Sequence, residues 1–374
     1  MIKKNLKILF IILITLFLLF IYTFFIPTKF YGFNKECIYI KHYSPNWHDT
    51  AKILKNNPSL KLCVGGHGGW LENDNVIKMD TIKEDGIKNF KILNENEAEI
   101  IVDARTTSET LYNWLLEKNY FIGGQPDPVN ISIGGVLSIG GVGISSISNG
   151  LFAENVIELY GIKKGGTEIE KQEPNDFLCN LGKNGIITDV KFRCEKIEDM
   201  EWDRYMVNII DLNEQFYKTM INNKVKYFNQ IIKDDMCSII IGKIGNRKDN
   251  TKYYNNNLYN GIFKWIRNNN KKKPLWVSWI FPNCKLYLEF LDIVDNIFIN
   301  LNIEITWHLI ILNNSNKTRP PHFPLTNTEY SYGLGIYIYT DIIKWAKIKN
   351  NILQDINKIA VDLMGKPYLI NVKI

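Results

Sequence analysis

Residues 127–146 read DPVNISIGGVLSIGGVGISS and residues 64–69 read VGGHGG, and these two glycine-rich stretches decide the fold. Glycine lacks a Cβ, so its backbone can approach a ligand closely and adopt positive φ. Successive N–H groups in such a bend form a concavity suited to anions, phosphates above all. The first stretch contributes Gly65, Gly66, Gly68 and Gly69 around His67. The second contributes Gly134, Gly135, Gly140, Gly141 and Gly143 with Ser138 and Ser145. Neither is a P-loop, because no Gly-Lys-Ser/Thr closes it. The pattern G-x-G-x-x-G fails at Ser146, where its third glycine would stand. One such bend reads as a plain turn. Two of them, one holding a histidine, favour a phosphate cradle of another type.

The composition leaves room for such a site in a large folded body. Of 374 residues, 45% are hydrophobic and 22% charged, which is ordinary for globular chains and excludes disorder, collagen and small disulfide scaffolds. That length allows two or three domains or one large one. The net charge of +6 resides partly in Lys3, Lys4 and Lys7 and partly in Lys271, Lys272 and Lys273. It forms no basic face with aromatic support, so no nucleic-acid partner is expected. Six cysteines include no C-x-x-C pair, so no metal site is expected. Each reads as a small buried hydrophobe, and Cys179–Cys194, flanking a turn and strand, is the candidate disulfide.

Ile8 to Ile26 is 19 residues without a charge, nearly all Ile, Leu or Phe. That matches a membrane span in length, and the preceding lysines place the N-terminus on the cytosolic side. The reading is a single-pass anchor over 6–26, a linker over 27–35, and a body on the exoplasmic or lumenal side. A cleaved signal peptide would have a shorter apolar run and a small-residue cleavage site, which Thr23-Phe24-Phe25-Ile26-Pro27 does not offer. Sequons at Asn130, Asn313 and Asn316 are read as chance in an Asn-rich chain.

Along the body, strands are expected at Ile38–Ile40, Leu60–Val64, Ile100–Ala104, Asn155–Tyr160 and Gly185–Val190. Helices are expected at Asp49–Lys55, capped by Asp49, and at Ser108–Lys118, where Leu111, Trp114 and Leu115 share one face. Residues 36–197 thus read as one α+β domain. From 198 the character changes. Helical stretches with Phe216, Tyr217, Tyr227 and Phe228 precede an Asn/Lys-rich segment. Strands return at Trp276–Ile280, Ile303–Leu312 and Tyr332–Tyr339, with a last helix over Asp341–Leu363.

The order of these motifs resembles the FAD-binding PCMH-type fold of the vanillyl-alcohol-oxidase superfamily, and within it the cytokinin dehydrogenases and their bacterial relatives. The resemblance rests on Val64-Gly65-Gly66-His67-Gly68, on Asp127 six residues before Gly134-Gly135-Val136-Leu137-Ser138, and on Gly140-Gly141-Val142-Gly143-Ile144-Ser145. It continues through Asn155-Val156-Ile157-Glu158-Leu159, the Lys164-Gly165-Gly166 hairpin and Gly185-Ile186-Ile187-Thr188. Later it takes in Pro274 to Pro282, Lys317 to Leu325 and Gly365-Lys366-Pro367-Tyr368-Leu369. Two departures are plain: Gly68 stands where the family has Ser, and Leu181-Gly182-Lys183-Asn184 replaces a longer glycine turn.

The resemblance implies a two-subdomain FAD-binding domain over 36–197 followed by an α+β substrate, or cap, domain over 198–374. Because the family continues past Gly365–Leu369 with a tail, it also implies a shortened cap. FAD would be held through its diphosphate by both glycine bends, with Ser138, Ser145 and Asn155 toward phosphate or ribityl oxygens. Gly185 would also belong to the cofactor site, and Ile187 would offer backbone groups to the ring edge. His67 holds the position joined covalently to flavin in the cytokinin dehydrogenases, and a noncovalent flavin beside a turn histidine is the other reading of it. Asp127 holds the position of the substrate-facing acid, able to take a proton while hydride passes to flavin; alternatively it caps the Pro126-Asp127-Pro128 turn. Arg319 and His322 are candidates to face a small-molecule substrate, with Arg319 before two prolines equally suited to anchoring a loop. The expected activity is oxidation of an amine- or alcohol-type substrate. A catalytically impaired, membrane-tethered FAD-binding or fold-only protein is the alternative, as is a sterol-reductase-like or sugar-oxidase-like member of the same superfamily.

Overall fold

The computed structural model describes residues 28–31, 37–44, 46–65, 76–126, 130–233, 236–245, 275–315, 319–324, 326–340 and 342–368. No helix among them is long and apolar enough to cross a membrane, and residues 6–26 lie outside them.

Three sheets carry the chain, and the architecture is mixed α+β. The first has strand order β1-β2-β4-β3, from β1 (Thr28–Tyr31), β2 (Cys37–Tyr43), β3 (Lys61–Val64) and β4 (Val76–Met79). Strand β4 runs parallel to both β2 and β3. Within residues 27–35, expected as a linker, Thr28–Tyr31 form β1, which pairs with β2 through Thr28↔Ile40 to Tyr31↔Cys37. Helix α1 (Trp47–Asn56) connects β2 to β3; its cap is Asn46, not Asp49, because the Asn46 side chain accepts the Asp49 N–H.

The second sheet has order β5-β6-β10-β8-β9, with β7 (Tyr120–Phe121) added on β10. Alternation along β6 (Glu97–Asp103) and β10 (Gly185–Lys196) buries Ala98, Ile100, Val102, Val190, Phe192 and Cys194 on one face. Strands β5 (Ile87–Ile92), β8 (Val156–Lys163) and β9 (Glu170–Gln172) complete it. Helix α2 (Ser108–Glu117) covers that face with Leu111 and Leu115; Thr107 caps it by accepting the Thr110 N–H. At the end of β6, Asp103 is buried yet held by Arg105 through Nε and Nη2 (3.0 and 2.9 Å). The same carboxylate accepts the Trp47 indole N–H at 3.4 Å, which ties α1 to this sheet.

The third sheet has order β11-β13-β12-β15-β16-β14-β17. Its strands are β11 (Met200–Asn208), β12 (Tyr227–Lys233), β13 (Met236–Ile244), β14 (Leu275–Phe281), β15 (Glu304–Asn313), β16 (Tyr330–Tyr339) and β17 (Lys366–Tyr368). The 227–233 segment, read from sequence as helical, is therefore a strand. One face packs on the helices Glu214–Asn222, Cys284–Asn300 and Ile342–Asp362 through Tyr217, Phe228, Trp279, Phe290, Trp307 and Ile336, all essentially inaccessible.

The candidate disulfide does not form: Cys179 and Cys194 are free thiols, as are Cys63, Cys237 and Cys284, and all five are buried. Burial pushes the Cys179 and Cys237 thiols up to about 12 and Cys284 up to about 11. The thiolate is the reactive form, so iodoacetamide should leave these five unmodified in the native protein and label all of them in denaturant, as read by peptide mass spectrometry.

Candidate functional site

The two glycine stretches meet. Strand β3 ends at Gly65, which adopts φ +81° and donates its N–H to Met79 O at 3.0 Å. Gly65 then bridges Ile131, and the next residue, Ser132, bridges Thr107. Ser132 caps a five-residue helix, α3 (Ile133–Leu137), through the Gly135 N–H. The first two residues of α3 dock onto the end of β6: Ile133 N–H donates to Thr106 O (2.8 Å) and Gly134 N–H to Ala104 O (2.9 Å). A Cβ at Gly134 would lie 3.0 Å from Ala104 Cβ and 3.8 Å from Ile187 O. Gly65, Gly134, Gly135 and Ile187 are thereby gathered where the ends of β3, β6 and the bulge in β10 converge. Gly135 is the exposed member of the group.

Two buried hydroxyls at this junction, Thr106 Oγ1 and Thr188 Oγ1, have no hydrogen-bond partner among the described residues. Thr106 Oγ1 sits against Gly86. Thr188 adjoins Ile187 in the bulge, and its carbonyl accepts the Ala104 N–H at 2.8 Å. A buried hydroxyl without a partner costs about 1–3 kcal/mol, so Thr188 is where an added polar ligand would be rewarded.

The later half of the second stretch is turned inward. Gly140 (φ +107°) packs against Phe323 and Cys179, and Gly141 (φ +71°) against Val136 and Phe152. Their carbonyls accept the N–H groups of Ala153 and Phe152, and the Gly143 N–H donates to Ser146 Oγ at 3.0 Å. Ser145 Oγ accepts the Gly124 N–H at 2.8 Å. Ser138 Oγ donates to Gly134 O at 2.8 Å, and Asn155 Nδ2 donates to Gly123 O at 2.8 Å. Gly185 fits close β8–β10 pairing, since a Cβ there would lie 2.1 Å from Ile162 O. In the structure the polar groups of Ser138, Ser145 and Asn155 thus serve the fold. Gly66, His67, Gly68, Gly69 and Asp127 lie outside the described residues.

The same stretch is clasped by the third sheet. Phe228 N–H donates to Ile144 O (2.8 Å) and Ser148 Oγ to Lys226 O (2.9 Å), while Ile147 enters the apolar core of that sheet. On the other side, Arg319 pairs through Nε with Glu154 and also donates to Asn314 Oδ1 and Asn313 O. Both partners of the ion pair are buried. Arg319 is therefore a loop anchor, and His322 beside it is exposed.

Sequence reasoning attached no role to His308. It lies buried on β15, its Nε2 2.7 Å from Asn229 Oδ1, with its ring stacked on Tyr337. Burial pushes its imidazole down to about 4. The described neighbours on its sheet face, Asn229, Thr306, Ile310 and Tyr337, carry no charge at neutral pH, and the Lys233–Glu304 pair stands four residues back along β15. The unfolded chain holds the extra proton between pH 6.5 and about 4, so this group's stabilisation is complete above pH 6.5 and is lost as pH falls. Between pH 7 and pH 4.5 the wild type should lose about 2–3 kcal/mol more unfolding free energy than His308→Phe in urea titrations.

In comparisons with known proteins, the sequence matches no family model and no curated protein.

Proposed function

We propose that the chain is an FAD-dependent oxidoreductase of the PCMH type, with residues 36–197 as the flavin-binding part and residues 198–374 as the substrate part. The observation that carries the reading is the Gly65–Ile131 bridge, which sets the mouth of the first glycine bend against the start of the second. Two such bends that converge can wrap a diphosphate with backbone N–H groups from both sides. The residues at the junction fit the cofactor: Gly135 is exposed and has no side chain, and the Thr188 hydroxyl lacks a partner among the described residues. Thr188 and the backbone of Ile187 would hold it from this side, where Gly135 leaves room for it, and the first bend, His67 included, from the other. Because the N–H groups of Ile133, Gly134, Gly135, Gly140 and Gly143 already have acceptors, the first bend would supply the main N–H grip on the diphosphate.

Bound flavin supplies a two-electron acceptor for hydride from the carbon bearing an amine or alcohol. In this reading Asp127 takes the N–H or O–H proton of that substrate. The apolar run Ile8–Ile26 anchors the body to a membrane on its exoplasmic or lumenal side.

The test is colour. Full-length protein in detergent should be yellow with a flavin absorption spectrum, and the colour should follow the protein through acid precipitation if His67 holds the flavin covalently. His67→Ala should then release the colour into the supernatant. A folded, colourless protein overturns the flavin reading. Bleaching by an amine or alcohol substrate, lost in Asp127→Asn, supports the assigned base.

A further inference from the structure

Three Asn-x-Ser/Thr sequons stand in the chain, at Asn130-Ile131-Ser132, Asn313-Asn314-Ser315 and Asn316-Lys317-Thr318. Such a tripeptide is the acceptor of N-linked sugar, a bulky and hydrophilic group that must stand at the surface. Transfer takes place on the emerging chain, so the fold selects a site by whether it can carry the product. The third sequon lies outside the described residues. The other two differ in the way the fold uses them.

The first is built into the glycine junction. Asn130 is exposed, but Ile131 bridges Gly65 and its carbonyl accepts the Ser108 N–H at 2.8 Å. Ser132 Oγ accepts the Gly135 N–H. A sugar on Asn130 would hang one residue from the Gly65 bridge, beside the space assigned to the cofactor.

The second is built the other way. Asn313 is the last residue of β15, opposite Tyr330 at the start of β16. The residue in the middle of the sequon, Asn314, makes the contacts that fix the segment. Its backbone N–H donates to Glu329 O at 2.7 Å. Its side-chain Nδ2 reaches Thr326 Oγ1 (3.0 Å), Thr328 O (2.7 Å) and Ser331 Oγ (2.5 Å). Asn313 is partly exposed and Ser315 exposed.

The side chain of Asn313 turns back on Ser315. Its Oδ1 accepts the Ser315 N–H at 2.9 Å and the Ser315 hydroxyl as well, an Asx turn. That turn uses the amide oxygen and leaves the amide nitrogen over: among the described residues nothing accepts from Asn313 Nδ2. A bond made at this nitrogen therefore displaces no hydrogen bond of the described fold. At Asn314 the same bond would cost three.

We infer that Asn313 is an N-glycosylation site, receiving an oligosaccharide from a polyprenyl-diphosphate donor on the lumenal side of a secretory membrane. In the transfer, Asn313 Nδ2 attacks the anomeric carbon of the donor sugar and a C–N bond forms. The C–O bond to the diphosphate breaks, the lipid diphosphate leaves with the electron pair, and Nδ2 gives up one proton to a base of the transferase. The inference rests on the proposed lumenal placement of the body and is independent of the flavin.

The test is translation of the full-length chain with endoplasmic-reticulum microsomes. In the background Asn130→Gln/Asn316→Gln, Asn313 heads the one remaining sequon. That chain should migrate one glycan heavier and return to the unmodified position on treatment with peptide-N-glycosidase. Adding Ser315→Ala should abolish the shift, and Ser315→Thr should keep it. Because transfer precedes folding, a variant that folds badly still reports. In the unmutated chain, release by the glycosidase in heavy-oxygen water should convert Asn313 to heavy-oxygen aspartate, read by peptide mass spectrometry. Proteinase K added outside the microsomes separates this inference from the placement it rests on. A body protected from the protease but unshifted, or a shift that survives Ser315→Ala, overturns the inference alone. A body digested by the protease overturns the lumenal placement and the inference with it.

Discussion

Replacing Arg319 with Met should lower the unfolding free energy by about 3–5 kcal/mol, the cost of leaving a buried ion without its partner. Glu154 is almost wholly buried, and apart from Arg319 its carboxylate accepts the Leu151 N–H at 3.1 Å. The guanidinium also satisfies Asn313 O and Asn314 Oδ1, at the end of β15, so its loss leaves acceptors unmet on both sides of the contact. The effect should reach the glycine stretch. Glu154 sits in the turn Phe152–Asn155, where Ala153 N–H holds Gly140 O, and Phe323 of the Arg319 loop packs on Gly140. The double variant Arg319→Met/Glu154→Leu should recover most of the loss, because apolar replacement of a whole buried pair is often neutral. Urea titration of the two singles and the double gives the coupling directly. A single-variant cost below about 1 kcal/mol, the value of a surface pair, would show that the pair does not lock the two parts together.

Which features were readable in the sequence follows from what each residue contacts. The strand ending at Val64 was legible, as was the helix carrying Leu111 and Leu115, because local periodicity and caps act over a few residues. The 227–233 strand was not. Its residues Tyr227, Phe228, Asn229 and Gln230 are buried on both faces, so the period of two disappears. Arg319 was ambiguous because the carboxylate that decides its role is 165 positions away. His308 carried no role in the sequence for the same reason, its partner Asn229 lying 79 positions off on β12. The glycine run was legible as a special segment but not in its purpose. A sequence shows that Cβ atoms are missing without showing whether a ligand or the protein fills the room.

That last distinction sets two substitutions only eight positions apart against each other. Gly143→Ala should cost about 3 kcal/mol or more, since overpacking against backbone has no flexible side chain to absorb it. The added Cβ would stand 1.8 Å from Gln125 O and 2.7 Å from Gln125 C. Neither side can retreat cheaply. Gly124 is fixed by its N–H bond to Ser145 Oγ, Gln125 by its amide bond to Ser108 O, and Gly143 by its N–H bond to Ser146 Oγ. Gly135→Ala should behave differently. Its Cβ would meet only Ser132 Oγ, at 3.0 Å, and alanine is favoured over glycine in a helix by about 1 kcal/mol. The two contributions nearly cancel, so stability should stay within about 1 kcal/mol of wild type. In the flavin reading the same methyl group stands on the exposed rim of the junction, where a cofactor would pass, so Gly135→Ala should fold normally and lose its colour. Denaturation and absorbance measured on both variants separate packing from ligand contact. Were Gly135→Ala to keep a full complement of flavin, the cofactor would have to lie elsewhere than against the start of α3.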